Sequence, residues 1–129
     1  MLEVRTMPAT TELLDKIESL LGPKGIKIDD TDDQEPILRP STTEELSQVM
    51  KLCHEVSQAI VPIGGNTSLV NGTRRIRGEL ALSMERMNKI VEIDQASRTM
   101  TVEAGAILQT VQETAAEHGF LYPLDLGAR

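Results

Sequence analysis

Residues 59–72 read AIVPIGGNTSLVNG. Ala59 to Ile63 is a short apolar, β-branched run that stops at two glycines, which is a strand signal. The residues before it supply a partner. Ile37-Leu38-Arg39 is a short apolar run ahead of Pro40, and Ser41-Thr42-Thr43-Glu44 has the spacing of a capping box. Leu46, Val49, Met50, Cys53 and Val56 then recur at helical spacing, which predicts a helix over 44–58. Strand, helix and strand at this spacing make a parallel βαβ unit with a right-handed crossover. In such sheets ligands gather outside the carboxyl ends of the strands, where the loop 64–72 begins.

The rest of the chain extends this plan. Residues 10–21 (TTELLDKIESLL) place Leu13, Leu14, Ile17, Leu20 and Leu21 on one helical face, with Thr10 or Thr11 as cap and Gly22-Pro23 as stop. Asp29, Asp30, Asp32, Asp33 and Glu35 form a solvated acidic linker; the alternating ligands, central Gly and distal Glu of a calcium loop are absent. After the glycine loop, residues 79–84 (ELALSM) read as a third strand. Residues 89–94 and 99–103 read as a hairpin turned by Gln95-Ala96-Ser97-Arg98, with Val91, Ile93, Met100 and Val102 on its covered face. Residues 106–118 predict a last helix with Ile107, Leu108, Val111, Ala115 and Ala116 inward, and Gly119 as its left-handed stop. The pattern breaks off at Gly127-Ala128-Arg129, which reads as part of a longer protein.

Composition excludes several classes. The chain has 129 residues and a net charge of −7, which disfavours a phosphate-backbone partner. Aromatic residues are 2% of the chain, only Phe120 and Tyr122, so stacking platforms for nucleic-acid bases are missing. Cys53 is the single cysteine, which rules out an intrachain disulfide and a cysteine-cluster zinc site and fits a reducing, cytoplasmic location. No run has the length of a membrane span, and no secretory leader is visible. Two histidines and one cysteine give no metal-ligand spacing, so no metal is expected. Cys53 reads as core, His54 as helix surface and His118 as a helix C-terminal residue. No nucleophile–base spacing stands out, so no catalytic residue is assigned.

The loop itself has a definite chemistry. Gly64 and Gly65 remove the Cβ atoms that would hold a ligand off the backbone. Successive exposed N–H groups make an anion-binding concavity, to which Asn66, Thr67 and Ser68 add donors, and a pyrophosphate suits it. Neither G-x-G-x-x-G nor the P-loop pattern is present. A plain connection between strands would use the same glycines for geometry alone, and on the loop by itself both readings stand. Arg74, Arg75 and Arg77 could reach a phosphate or remain solvated.

In order, RPSTTEEL, LCHE, PIGGNTSLVNG, LALSMERMNKIVEID, TMTVEAG and YPLDLGAR resemble the N-terminal part of the FAD-linked oxidases, flavoproteins of the vanillyl-alcohol oxidase type. The resemblance covers about 36–129, with 1–35 an N-terminal helix and acidic linker. LCHE and PLDLGAR are most similar to the D-2-hydroxyglutarate dehydrogenase branch, with the glycolate oxidase and D-lactate dehydrogenase branches close by.

The resemblance implies an α+β fold: a PCMH-type FAD-binding domain whose first subdomain is a small parallel sheet flanked by helices, followed by the start of an antiparallel second subdomain. It implies FAD as cofactor, with Pro62, Ile63, Gly64, Gly65, Asn66, Thr67, Ser68 and Leu69 wrapping the pyrophosphate and Gly72 closing the loop. Pro123, Leu124 and Asp125 match a segment that approaches the flavin. Asn71 stands where relatives often carry a second Gly, and Asn tolerates the left-handed region. Thr73-Arg74-Arg75 replaces the usual small residues and proline. No His or Cys lies in the loop, so non-covalent FAD is expected. The implied parent oxidises a D-2-hydroxy acid (2-hydroxyglutarate, lactate or glycolate type) by hydride transfer to FAD, as a possible homodimer, with substrate, catalytic and metal residues beyond this segment. This segment alone would then be inactive. The alternatives are a non-catalytic α/β module for a phosphate ligand or a partner, and a UDP-sugar reductase of the same fold, against which the PLDLGAR tail argues.

Overall fold

The structure is a computed structural model that describes residues 10–28, 36–64 and 78–124. The chain divides into two compact units, residues 1–86 and 87–129.

The first unit is built on the parallel ladders that the sequence pattern requires. Strands β1 (Ile26–Ile28), β2 (Pro36–Leu38), β3 (Ile60–Ile63) and β4 (Leu80–Ser83) form a sheet in the order β1-β2-β4-β3. β4 pairs in parallel with both β2 and β3, and β1 joins the edge antiparallel to β2. The βαβ unit expected from 37–63 is therefore present, but β4 lies between its two strands. The reason is burial: all four residues of β4 are buried, as a strand covered on both faces demands, and only a central position provides that. The edge strand β1, three residues of Ile-Lys-Ile, is too short for its alternation to announce it.

Two helices cover this sheet. α1 (Thr11–Leu21) starts where Thr10 Oγ1 accepts the Leu13 N–H and stops at Gly22, as the sequence predicts. α2 (Thr43–Glu55) follows β2. Leu13, Ile17 and Leu21 from α1, Val49 and Cys53 from α2, Leu38 from β2 and Leu80 and Leu82 from β4 form one core cluster. Truncating a fully buried member such as Ile17 or Leu38 to Ala costs about 2–5 kcal/mol.

The ends of α2 differ from expectation. The N-cap is Thr42, whose Oγ1 accepts the Glu45 N–H, one residue later than the expected box. Glu45 Oε2 reaches back to Ser41, accepting its N–H at 2.7 Å and its hydroxyl at 2.9 Å. The helix ends at Glu55, short of residue 58. Ser57 adopts φ 55° and the Gln58 N–H returns to the Cys53 carbonyl, closing a Schellman motif. That early stop leaves Val56 59% exposed, and Met50 is 45% exposed. Both continue the apolar spacing without belonging to the buried stripe.

The second unit contains β5 (Ile90–Asp94) and β6 (Thr99–Val102), an antiparallel hairpin, and α3 (Leu108–Glu117). Asp94 Oδ1 accepts the Ala96 and Ser97 N–H groups in the turn. Those bonds, the Ser97 N–H first, hold its carboxyl below the usual value. A register shift between Ile90 and Glu92 makes Val91 a bulge residue. It therefore points outward and is 63% exposed, contrary to the simple alternation, while Ile90 and Ile93 are half-buried. In α3, Val111 and Ala115 are buried. Ile107 is instead the cap, 55% exposed, and Ala116 is exposed too. Gly119, at φ 77°, ends α3 with a second Schellman motif through the Phe120 N–H and the Ala115 carbonyl.

The two helix stops predict one asymmetric result. Ser57 holds a left-handed conformation that costs a side-chain-bearing residue about 1 kcal/mol, which glycine avoids. Ser57→Gly therefore raises unfolding free energy by about 0.5–1 kcal/mol in chemical denaturation, with the m-value unchanged.

Candidate functional site

The carboxyl end of the parallel sheet is the candidate site. β2, β3 and β4 run in one direction, so Arg39-Pro40-Ser41, Gly64 and Met84-Glu85-Arg86 emerge at the same edge. The β3–β4 ladder is in register along its whole length, pairing Ile60 with Leu80 through Ile63 with Ser83. One further bond, Met84 N–H to the Ile63 carbonyl at 3.1 Å, carries it to the last residue before the glycines.

At that end the chain is open. Pro62 and Gly64 are exposed and Ile63 is half-buried. Among the described residues, no atom lies within 4 Å of a Cβ added to Gly64. The backbone leaving β3 is thus accessible from outside, the condition for a ligand held by main-chain N–H groups. Gly64 supplies an exposed main-chain N–H there, while Pro62, which has none, adds access only; this combination fits a pyrophosphate-bearing cofactor.

Gly65, Asn66, Thr67, Ser68, Leu69, Gly72 and Asp125 lie outside the described residues, as do Arg74, Arg75, Arg77 and the acidic linker 29–35. Pro123 and Leu124 belong to the second unit, are exposed, and are tied to α3 by the Gln112 Nε2 bond to the Leu124 carbonyl at 2.8 Å.

The other residues singled out in the sequence fall as follows. Cys53 is 1% exposed within the core cluster, and burial pushes its thiol pKa up, so it behaves as an apolar filler. His54 is exposed in the last turn of α2. His118 is exposed and its Nδ1 lies 2.9 Å from the Thr114 carbonyl. Among the described residues no group of three His, Cys, Asp or Glu could hold a metal ion. Among them, too, no helix is long and apolar enough to cross a membrane.

Sequence reasoning missed a polar cluster at this edge. Arg86 Nη1 donates to the Arg39 carbonyl at 2.9 Å, across 47 positions of chain. The Arg39 guanidinium pairs with Glu85 through Nε, which is buried and has no well-aligned hydrogen bond. Ion pairing with the adjacent carboxylate compensates it. Buried Ser83 accepts the Glu85 N–H through Oγ at 3.2 Å and so shapes the exit of β4. The available signal was positional: each of these residues stands at a strand's carboxyl end or just beyond it.

Comparison with known proteins places this geometry. The model of a family described as "FAD binding domain" matches residues 35–129, and the chain belongs to that family. It is 41% identical over 93 residues to a D-2-hydroxyglutarate dehydrogenase of Xanthomonas citri, covering 72% of this chain and 20% of that protein. It is 38% identical over 93 residues to the mitochondrial D-2-hydroxyglutarate dehydrogenase of Bos taurus, covering 72% of this chain and 17% of that protein. A putative mitochondrial D-lactate dehydrogenase of Schizosaccharomyces pombe is 40% identical over 92 residues, covering 71% and 18%. The chain thus spans about a fifth of the length of these relatives. In fold it is similar to an alkyldihydroxyacetonephosphate synthase (TM-score 0.76, 17% identity, 92% of this chain and 27% of that one). It is similar also to p-cresol methylhydroxylase (TM-score 0.70, 21% identity, 90% and 27%). The α+β architecture and the flavoprotein family expected from the ordered motifs are both found.

The start of α2 carries a pH signature. The Ser41 N–H, first, then the Ser41 hydroxyl, nearby Arg86 and the Thr42 N–H hold the Glu45 carboxyl below its usual value of 4.5, against an opposing desolvation effect. The folded state thus has the lower pKa. Its contribution is present above about 4.5 and is lost as pH falls through the folded value. Melting temperature followed from pH 6 to about pH 3 should fall less steeply in Glu45→Gln than in the parent, with the curves converging at the acid end.

Proposed function

We propose that the loop leaving β3 holds the pyrophosphate of a non-covalently bound FAD, and that the protein containing this domain oxidises a D-2-hydroxy acid. The observation that carries the reading is the open Gly64 backbone at the carboxyl end of a parallel strand, inside a segment that matches an FAD-binding family. Pro62, Ile63, Gly64, Gly65, Asn66, Thr67, Ser68 and Leu69 would wrap the diphosphate, Gly72 would close the loop, and Pro123, Leu124 and Asp125 would approach the flavin. Residues 62–72 contain no His or Cys to form a covalent flavin link. In this reading 36–129 is the cofactor-binding part and 1–35 its N-terminal helix and linker.

When bound, the flavin would supply the redox chemistry, acting as hydride acceptor for C2 of a D-2-hydroxy acid whose hydroxyl proton would be released as the 2-oxo acid forms. This chain's own residues bind and orient. Main-chain N–H groups offset the diphosphate charge, and the β3–β4 ladder fixes the strand from which they project. The relatives named for D-2-hydroxyglutarate and D-lactate support the substrate class, a small 2-hydroxy acid of the 2-hydroxyglutarate, lactate or glycolate type. They favour an enzyme over a non-catalytic phosphate- or partner-binding module. A homodimer remains part of the proposal. So does a cytoplasmic location, supported by a single buried thiol; the bovine and fission-yeast relatives are named mitochondrial.

Titration of the flavin-free full-length protein that contains this domain with FAD should saturate at one equivalent, and an added D-2-hydroxy acid should bleach the yellow band without oxygen. Gly64→Val should leave the melting temperature of the flavin-free protein unchanged, because no described residue occupies the space its Cβ enters. It should weaken FAD about tenfold or more, by standing between backbone and cofactor. Absence of FAD binding, or equal binding by Gly64→Val, contradicts the reading.

A further inference from the structure

We propose that Arg86 is a positioning residue for the cofactor, acting through the Arg39 carbonyl. The inference rests on the reading above, that FAD binds where β3 ends. Three connections link Arg86 to the end of β3, all within the first unit.

First, the exit of β4 is fastened on both sides. Toward β3, the Met84 N–H bonds the Ile63 carbonyl at 3.1 Å. Toward β2, two residues further on, Arg86 Nη1 bonds the Arg39 carbonyl at 2.9 Å and Glu85 pairs with the Arg39 guanidinium. Second, Arg39 is itself fixed. Its N–H donates to the Gly25 carbonyl at 2.7 Å, and the next residue, Pro40, is fully buried. Third, no regular ladder performs this task there: β2 and β4 pair only at Ile37–Ala81 and Leu38–Leu82. Beyond Leu38, the bonds described between the two exits come from side chains of Glu85 and Arg86. Glu45, on the first turn of α2 and bonded to Ser41, provides the negative charge that faces Arg86.

The consequence runs through the ladder. Ile63 is held by β4, and the exit of β4 is held by Arg39. Releasing Arg86 frees the exit of β4 to shift against β2 and takes Ile63 and the Gly64 backbone with it. A site made of main-chain donors tolerates such displacement poorly, because affinity depends on donors already being in place. A purely structural role would lower stability and leave the affinity of the folded protein unchanged.

The test uses the full-length protein that contains this domain, stripped of flavin and titrated with FAD well below the melting temperature of every variant. Arg86→Gln removes the guanidinium donor and should weaken FAD about tenfold, the scale of one lost charged hydrogen bond. Arg86→Lys retains a cationic donor and should recover most of the affinity. Equal FAD affinity in the parent and a folded Arg86→Gln overturns the inference and leaves the cofactor reading standing. Failure of Arg86→Lys to recover affinity while matching the parent's stability also overturns it. A parent that binds no FAD sinks the cofactor reading and this inference together. Should Arg86→Gln fail to fold, Arg86→Met, which keeps the aliphatic stem and removes the donor to the Arg39 carbonyl, decides the matter: an affinity about tenfold weaker supports the inference and an unchanged one overturns it.

Discussion

The four-residue parallel ladder between β3 and β4 organises this domain. Parallel strands need a covered sheet, and β4 meets that demand with Leu80, Ala81, Leu82 and Ser83 all buried. Because β4 is central, β2 and β3 flank it and point the same way. Because they do, three chain exits share one edge. α1 and α2 close the core over Leu80 and Leu82, and the Met84–Ile63 bond extends the ladder to the threshold of the glycines. Local propensity alone would allow Ile60–Ile63 to be almost any strand; the ladder makes it one whose end is open and directional.

The division of labour follows from chemistry. A redox cofactor brings its own reactivity, so a cofactor-binding segment needs donors, access and rigidity rather than a nucleophile. The described edge provides access at Gly64 and rigidity through the ladder and the Arg39–Glu85–Arg86 cluster. Titratable groups at this edge are engaged in structure: Glu45 caps the approach to α2, and Glu85 neutralises Arg39.

Much of this was legible in the residues, for identifiable reasons. α1 has a clean apolar stripe between Thr10 and Gly22, and α3 ends on a glycine in the left-handed region, so periodicity and punctuation agree. The hairpin has turn residues between two alternating runs. The misses are cases where a long-range effect overrules a local pattern. Val91 fits alternation but sits at a bulge; Val56 fits the helical spacing but follows a stop enforced at Ser57. The position of β4 between β2 and β3 depends on burial that no neighbouring residue records. At the site, Pro62–Gly64 could be singled out because strand and glycines are contiguous. Arg86 could not, since its partner lies 47 residues away.

The most direct measurement is a crystal structure of the full chain grown with FAD. The account predicts the diphosphate against the main-chain N–H groups that follow Ile63, at the carboxyl end of β3. A flavin dinucleotide bound at another edge, with those groups turned to solvent, would contradict it.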